Sequence, residues 1–266
     1  MDLNILFGVF VFIMGAIIGS FLNVCIVRLP LEKSIVRPGS HCVACKAPIA
    51  WYDNIPLISW LVLGGRCRAC KAKISFRYWL VELLTGSVFF LFWRYYGMHA
   101  VLWPYLVMMS GFIVATFVDF EHRIIPDEVS IGGIVAGLAF SLVVPQLQGA
   151  TSPLWGFCLS LLGVLAGGGV IYLMGMIGDF VFKKETMGGG DVKLMGMVGA
   201  FMGWKLALLT FFLAPFFGAV YGIIEKIRTK DSAIAYGPFL ILGALTSLFW
   251  GERIIHYVIT GGVYHL

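Results

Sequence analysis

The chain has 266 residues, of which 60% are hydrophobic and only 12% are charged. Soluble domains carry about 25% charged residues, so this composition excludes an ordinary soluble globular domain. It also excludes a disordered chain, because 22 Phe, 10 Tyr and 8 Trp supply more apolar surface than a solvated chain tolerates. We therefore expect a protein whose solvent is the lipid bilayer.

Long apolar runs recur along the whole sequence. The first run has no basic residue before Arg28, unlike a cleavable signal peptide, and it predicts a retained first transmembrane helix. A helix crosses the bilayer with about 20 mainly apolar residues, which predicts an all-α polytopic membrane protein with about eight transmembrane helices. The sixth helix is too short to cross comfortably, and the seventh depends on a tight turn at Trp204 and Lys205. The expected ranges are 4–27, 78–97, 100–118, 129–145, 155–182, 192–203, 205–225 and 236–259.

The basic residues fall mainly on one side of this predicted topology. The net charge is +5, from 19 Lys and Arg against 14 Asp and Glu. Sixteen of the 19 lie in or beside the 28–77 loop and the loops near residues 120, 187 and 230. Because loops rich in Lys and Arg stay in the cytoplasm, these loops are predicted to be cytoplasmic and both termini to lie outside. The placement of the basic residues is explained by membrane topology and does not require a nucleic-acid partner. We therefore expect no nucleic-acid partner.

Four of the six cysteines form two Cys-x-x-Cys pairs, Cys42 with Cys45 and Cys67 with Cys70. Two such pairs can supply four thiolates to a tetrahedral zinc ion, although their separation lies just beyond the common zinc-ribbon range. Two disulfides are the alternative, which a reducing cytoplasm disfavours. Four sulfur ligands leave no open position, so we expect a structural zinc. The chain is then expected to comprise a first transmembrane helix, a cytoplasmic tetracysteine zinc-binding domain and a seven-helix membrane domain, at residues 1–27, 28–77 and 78–266.

Two aspartates are candidates for catalysis. Asp119 ends the third predicted span, where the negative end of the helix dipole disfavours a carboxylate. Asp191 follows three glycines at the start of the sixth span, where glycines permit unusual backbone angles and close approaches and where an N-cap is the alternative role. Both are predicted at the cytoplasmic membrane edge, which favours a catalytic dyad. Asp127 follows Pro126 and is better interpreted as an N-cap or first-turn residue.

The sequence also bears on other functions. The sequence contains no His-Glu-x-x-His, no Gly-x-Ser-x-Gly and no Walker-type phosphate loop. A proton-coupled membrane transporter would also use intramembrane carboxylates and broken helices, but it gives the tetracysteine loop no role. A structural zinc-bearing scaffold would leave Asp119 unexplained.

Taken as a set, the motifs resemble those of the bacterial type IV prepilin peptidases, also called prepilin leader peptidase/N-methyltransferases. The resemblance covers nearly the whole chain. One departure is Val43, where many members have proline, and it lies outside the metal-ligand positions. The matching elements are Gly19-Ser20-Phe21-Leu22-Asn23-Val24, the two cysteine pairs, Asp53-Asn54-Ile55-Pro56, the stretch from Asp119 to Asp127, Gly188-x-Gly190-Asp191 and Tyr236-Gly237-Pro238-Phe239.

The resemblance implies a membrane aspartic protease of the Gly-x-Gly-Asp type, with Asp119 and Asp191 as the catalytic pair. Its expected location is the bacterial inner membrane, with the active site on the cytoplasmic side. Its expected substrates are type IV prepilins or type II secretion pseudopilins, cleaved after the last glycine of a short basic leader. Bifunctional members then methylate the new N-terminal residue, usually Phe, with S-adenosylmethionine. The sequence has no glycine-rich nucleotide fingerprint, so the residues that bind this cofactor stay unknown.

Overall fold

The computed structural model describes residues 3–183, 187–229 and 235–260, whose regular structure is helical apart from two isolated β-bridges. Six of the described helices are long and apolar enough to cross a membrane. Another, α5, has 17 residues. The all-α polytopic fold class is therefore confirmed. The helices are α1 Leu3–Arg28, α2 Ile58–Val62, α3 Phe76–Tyr96, α4 Leu102–His122, α5 Asp127–Val143, α6 Pro153–Phe182, α7 Gly189–Thr229 and α8 Gly237–Thr260.

The chain forms two compact units, Met1–Val114 and Ala115–Leu266, and α4 contributes to both. In the first unit α1 packs on α3 through small residues. A Cβ added to Gly15 would lie 2.8 Å from Cα of Gly86, closer than real Cβ atoms approach. The two backbones thus touch, as glycines at helix-packing spacing predict. The three-part division expected from the sequence stays a prediction.

The loop between α1 and α3 is tied to these helices by buried polar side chains. Glu82 on α3 is 8% exposed, and its carboxylate accepts a 2.8 Å hydrogen bond from the backbone N–H of Leu57. Asn23 on α1 is 1% exposed and donates a 2.9 Å hydrogen bond to the carbonyl of Tyr78. The first bond attaches the middle of the loop to α3, and the second joins α1 to α3 close to the two ends of the loop.

In the second unit α7 consists of two helices that meet at Gly203, whose backbone angles are φ 76° and ψ 170°. Met195 and Ala207 lie on opposite sides of Gly203, yet both come within 4 Å of a Cβ placed on Gly167 of α6. In a straight helix these two residues would be about 18 Å apart. The chain therefore reverses at Gly203, and the two helices expected at 192–203 and 205–225 are confirmed, with the turn beginning one residue earlier than expected.

The first part of α7 forms the core of the second unit. Leu194, Met195, Val198 and Phe201 are all 0% exposed. The helices α5 and α6 pack against it, and a Cβ on Gly199 would collide with a backbone carbonyl of α6. A helix too short to cross the membrane comfortably is stable here because protein surrounds it.

Candidate functional site

Asp119 lies in the last turn of α4 and is only 5% exposed. Its Oδ2 accepts a 2.9 Å hydrogen bond from the backbone N–H of Gly237, the first residue of α8. The positive end of α8 therefore compensates the unfavourable end of α4. A Cβ on Gly237 would lie 2.9 Å from the same carboxylate oxygen, so this approach requires glycine.

Asp191 is the third residue of α7 and is half-buried. Its carboxylate accepts a hydrogen bond from the backbone N–H of Gly188, as third-position acidic side chains do when they reach back to cap a helix. The same carboxylate also interacts electrostatically with that of Asp119. The structure thus brings together the two aspartates singled out in the sequence, from helices far apart along the chain.

Ile125 and Tyr236 complete the surroundings of the two carboxylates. Ile125 is 8% exposed, and its side chain lies 3.1 Å from a Cβ placed on either Gly190 or Gly237. Tyr236 interacts electrostatically with Asp191. Sequence analysis gave neither residue a role, although Ile125 lies in the stretch from Asp119 to Asp127 and Tyr236 begins the Tyr-Gly-Pro-Phe motif.

Asp127 lies outside this pair. It is the first residue of α5, so its expected role as a first-turn residue is confirmed. The alternative role as N-cap is wrong, because the N-cap is Pro126 and no side chain caps the helix. The Asp127 carboxylate instead accepts hydrogen bonds of 2.7 and 2.9 Å from Nζ of Lys193. Both side chains are exposed, so the ion pair is worth at most about 1 kcal/mol. It links the first turns of α5 and α7.

The four cysteines of the 28–77 loop form a second site. Their Sγ atoms all lie within 4.8 Å of one another, and those of Cys42 and Cys70 are 3.8 Å apart. Zinc–sulfur bonds of about 2.3 Å in a tetrahedron place two sulfurs about 3.8 Å apart. All four thiols are free, so the disulfide alternative finds no support. The cluster can hold a metal ion.

The two cysteine pairs have the same local structure. The hydrogen bonds from Cys42 N–H to the Ala47 carbonyl and from Cys67 N–H to the Ala72 carbonyl are both 2.9 Å. The lysine that follows each pair has a left-handed φ, 62° in one and 60° in the other. The pattern Cys-x-Ala-Cys-Lys-Ala occurs at both places, a repeat that sequence analysis missed.

Backbone and ionic contacts stabilise two charged groups of this loop, the Cys42 thiolate and the Asp53 carboxylate. The backbone N–H groups of Cys45 and Ala44 lower the pKa of Cys42 to about 6, which favours the thiolate that binds metal. Arg68, inside the second pair, donates hydrogen bonds of 2.7 and 2.6 Å to the carboxylate of Asp53. That contact lowers the pKa of Asp53 and joins the second pair to the preceding segment.

Fold and sites together define a polytopic helical membrane protein that combines a tetracysteine cluster with two neighbouring carboxylates. One family model, the bacterial peptidase A24 N-terminal domain, matches residues 13–96, and another, the type IV leader peptidase family, matches residues 106–223. No solved structure matches the chain significantly.

Curated relatives agree with the family models. A prepilin leader peptidase/N-methyltransferase of Myxococcus xanthus is 43% identical over 84% of this chain, which spans 64% of that protein's length. A type 4 prepilin-like proteins leader peptide-processing enzyme of Escherichia coli is 34% identical, over 88% of this chain and 91% of the relative. A prepilin leader peptidase/N-methyltransferase of Pseudomonas aeruginosa is 32% identical, over 91% and 90%. The chain belongs to the type IV leader peptidase family and is an enzyme, which confirms the resemblance found in its motifs.

Proposed function

We propose that this enzyme removes the leader from type IV prepilins or type II secretion pseudopilins, with Asp119 and Asp191 as its catalytic pair. The observation that carries the proposal is the proximity of these two carboxylates at the end of α4 and the start of α7. The names of the relatives, which process prepilin leaders, support the substrate class.

Two adjacent carboxyl groups can hydrolyse a peptide bond when they share one proton. The ionised group takes a proton from water, and the protonated group donates a hydrogen bond to the scissile carbonyl. As the water oxygen attacks the carbonyl carbon, the protonated group gives its proton to the carbonyl oxygen. The proton taken from water then passes to the leaving nitrogen as the C–N bond breaks, and the diol returns one proton to the other carboxylate. Gly237 holds Asp119 in place through its backbone N–H, and Gly188 does the same for Asp191.

The active site is assigned to the cytoplasmic face of the bacterial inner membrane. Arg123 follows Asp119 closely, and Lys193 follows Asp191, so both carboxylates lie beside basic loop residues. Loops rich in basic residues stay in the cytoplasm. A basic substrate leader would stay on this face by the same rule.

The tetracysteine cluster is assigned to a structural zinc ion held by Cys42, Cys45, Cys67 and Cys70. The sulfur separations fit tetrahedral coordination, and four thiolates leave no position for a reacting water. The metal would order the loop between α1 and α3, which Glu82 attaches to α3.

The enzyme is further proposed to methylate the new N-terminus with S-adenosylmethionine, which would supply the methyl group. Only the names of relatives that are N-methyltransferases support this activity, and no described residues are assigned to the cofactor. The transporter alternative receives no support from these relatives.

The test uses the purified full-length chain in detergent, incubated with a purified prepilin and S-adenosylmethionine. Mass spectrometry of the product should report loss of the leader and a gain of one methyl group. Leader loss without methyl gain would remove the methyltransferase assignment, and an intact prepilin would remove the peptidase assignment.

A further inference from the structure

An apolar groove runs along the second unit between α6 and the second part of α7. It encloses about 380 Å³, and none of the described residues that line it carries a charge. Ile177 of α6 and Phe211 and Pro215 of α7 form its walls. Ile177 is 58% exposed, so the groove is open on one side. In a membrane protein such a surface faces the bilayer or an apolar ligand.

Two residues that line the groove are chain neighbours of the glycines that bond the two carboxylates. Met187, which lines it, precedes Gly188, whose N–H donates to Asp191. Tyr236, which also lines it, precedes Gly237, whose N–H donates to Asp119. A peptide whose scissile bond lies at the carboxylates would therefore have one of its flanking segments in the groove.

Besides the Tyr236 hydroxyl, the described walls of the groove have one backbone feature that is polar. Pro215 lies inside α7 and has no backbone N–H, so the Phe211 carbonyl lacks the hydrogen bond that position i+4 normally gives it. A carbonyl without this donor can accept an N–H from another chain. A peptide held for cleavage is locally unwound and offers such N–H groups, whereas a lipid acyl chain offers none.

We propose that this groove binds the apolar segment of the substrate next to the scissile bond, which enters sideways from the bilayer and gives a backbone N–H to Phe211. The described walls of the groove carry no charge, which favours the apolar side of the cleavage site over the basic leader. This inference rests on the proposed peptidase function. It implies that the groove limits the size of the side chain at the first position after the scissile bond.

The test compares two prepilins that differ only in the residue after the scissile bond, Phe or Ala. The variant Ile177→Trp fills the groove and should lower kcat/KM for the Phe substrate about tenfold relative to the Ala substrate, because pocket filling discriminates on this scale. Met176→Trp is the matched control, since Met176 is the adjacent residue of α6, is 53% exposed and does not line the groove. It should leave the ratio within about twofold of the wild type.

A second experiment identifies the occupant. A photo-crosslinking benzoylphenylalanine replaces Phe211 in Asp191→Asn enzyme, which should bind the substrate without cutting it. Crosslinks to the apolar segment after the scissile bond would support the proposal. Crosslinks to the basic leader or to lipid alone would overturn it.

Failure of the groove assignment is distinguishable from failure of the peptidase assignment. If the wild type cleaves, Asp191→Asn does not, and Ile177→Trp keeps the wild-type ratio, the groove assignment alone is wrong. If Asp191→Asn cleaves both substrates normally, the catalytic pair is wrong and the groove proposal falls with it.

Discussion

Replacing either aspartate of the proposed pair by asparagine should abolish cleavage and leave the fold intact. Asp119 is 5% exposed and accepts one 2.9 Å hydrogen bond from Gly237, which an asparagine oxygen can still accept. Asparagine cannot hold the negative charge or pass on a proton. Acid–base catalysis by one positioned group contributes up to about 10⁴-fold, equivalent to about 5.5 kcal/mol of transition-state stabilisation. Each single variant should lose activity on this scale.

The assay is leader removal from a prepilin by purified variants with matched thermal stability. The double variant should be little worse than either single one, because residues that act as a unit are not additive. Asp127→Asn is the matched control, since its carboxylate is exposed and pairs with Lys193 rather than with either aspartate of the proposed pair. Near-normal cleavage by Asp191→Asn, or equal losses in Asp127→Asn, would refute the reasoning.

Three further predictions concern the metal, the packing and the topology. Cys67→Ser should remove the bound zinc and loosen the loop, whereas Cys158→Ser, outside the cluster, should keep one zinc per chain by metal analysis. Full zinc content in the first variant would contradict the four-sulfur site. Gly199→Ala should destabilise the protein by about 3 kcal/mol in a denaturation experiment, because its Cβ would strike a backbone carbonyl of α6. Gly132→Ala, with open space around it on α5, should be neutral or slightly stabilising, and equal effects of the two would be unexpected. A cysteine introduced near Pro48 should react with an impermeant label only in permeabilised cells, and labelling of intact cells would reverse the topology.

The helices were predictable because the bilayer makes apolar length the main determinant of a span. The range 155–182 corresponds to α6 at Pro153–Phe182, and 129–145 to α5 at Asp127–Val143. The reversal in α7 was also predictable, since Trp204 and Lys205 interrupt the apolar run. Hydropathy does not distinguish a helix in lipid from a helix inside protein, so the burial of the first part of α7 was not predictable.

The two aspartates were identified from the sequence, but their supports were not. The hydrogen bond from Gly237 to Asp119 joins residues far apart along the chain, and no local pattern reveals such a pairing. The contact between Asp127 and Lys193 is hidden for the same reason. The repeated Cys-x-Ala-Cys-Lys-Ala pattern, by contrast, is visible in the sequence and would have predicted two equivalent turns, although it was missed.

The buried first part of α7 determines where the water for hydrolysis comes from. The helices α5 and α6 cover its sides, and the hydrocarbon core holds almost no water, so the reactant must arrive at the end of the helix. Gly188 and Gly189 are exposed there, and a Cβ on Gly189 would have no described atom within 4 Å. In the part of the chain that the structure describes, nothing beside Gly189 blocks a solvent path to the start of α7, where Asp191 lies. A bulky residue at position 189 would narrow that path without touching either carboxylate.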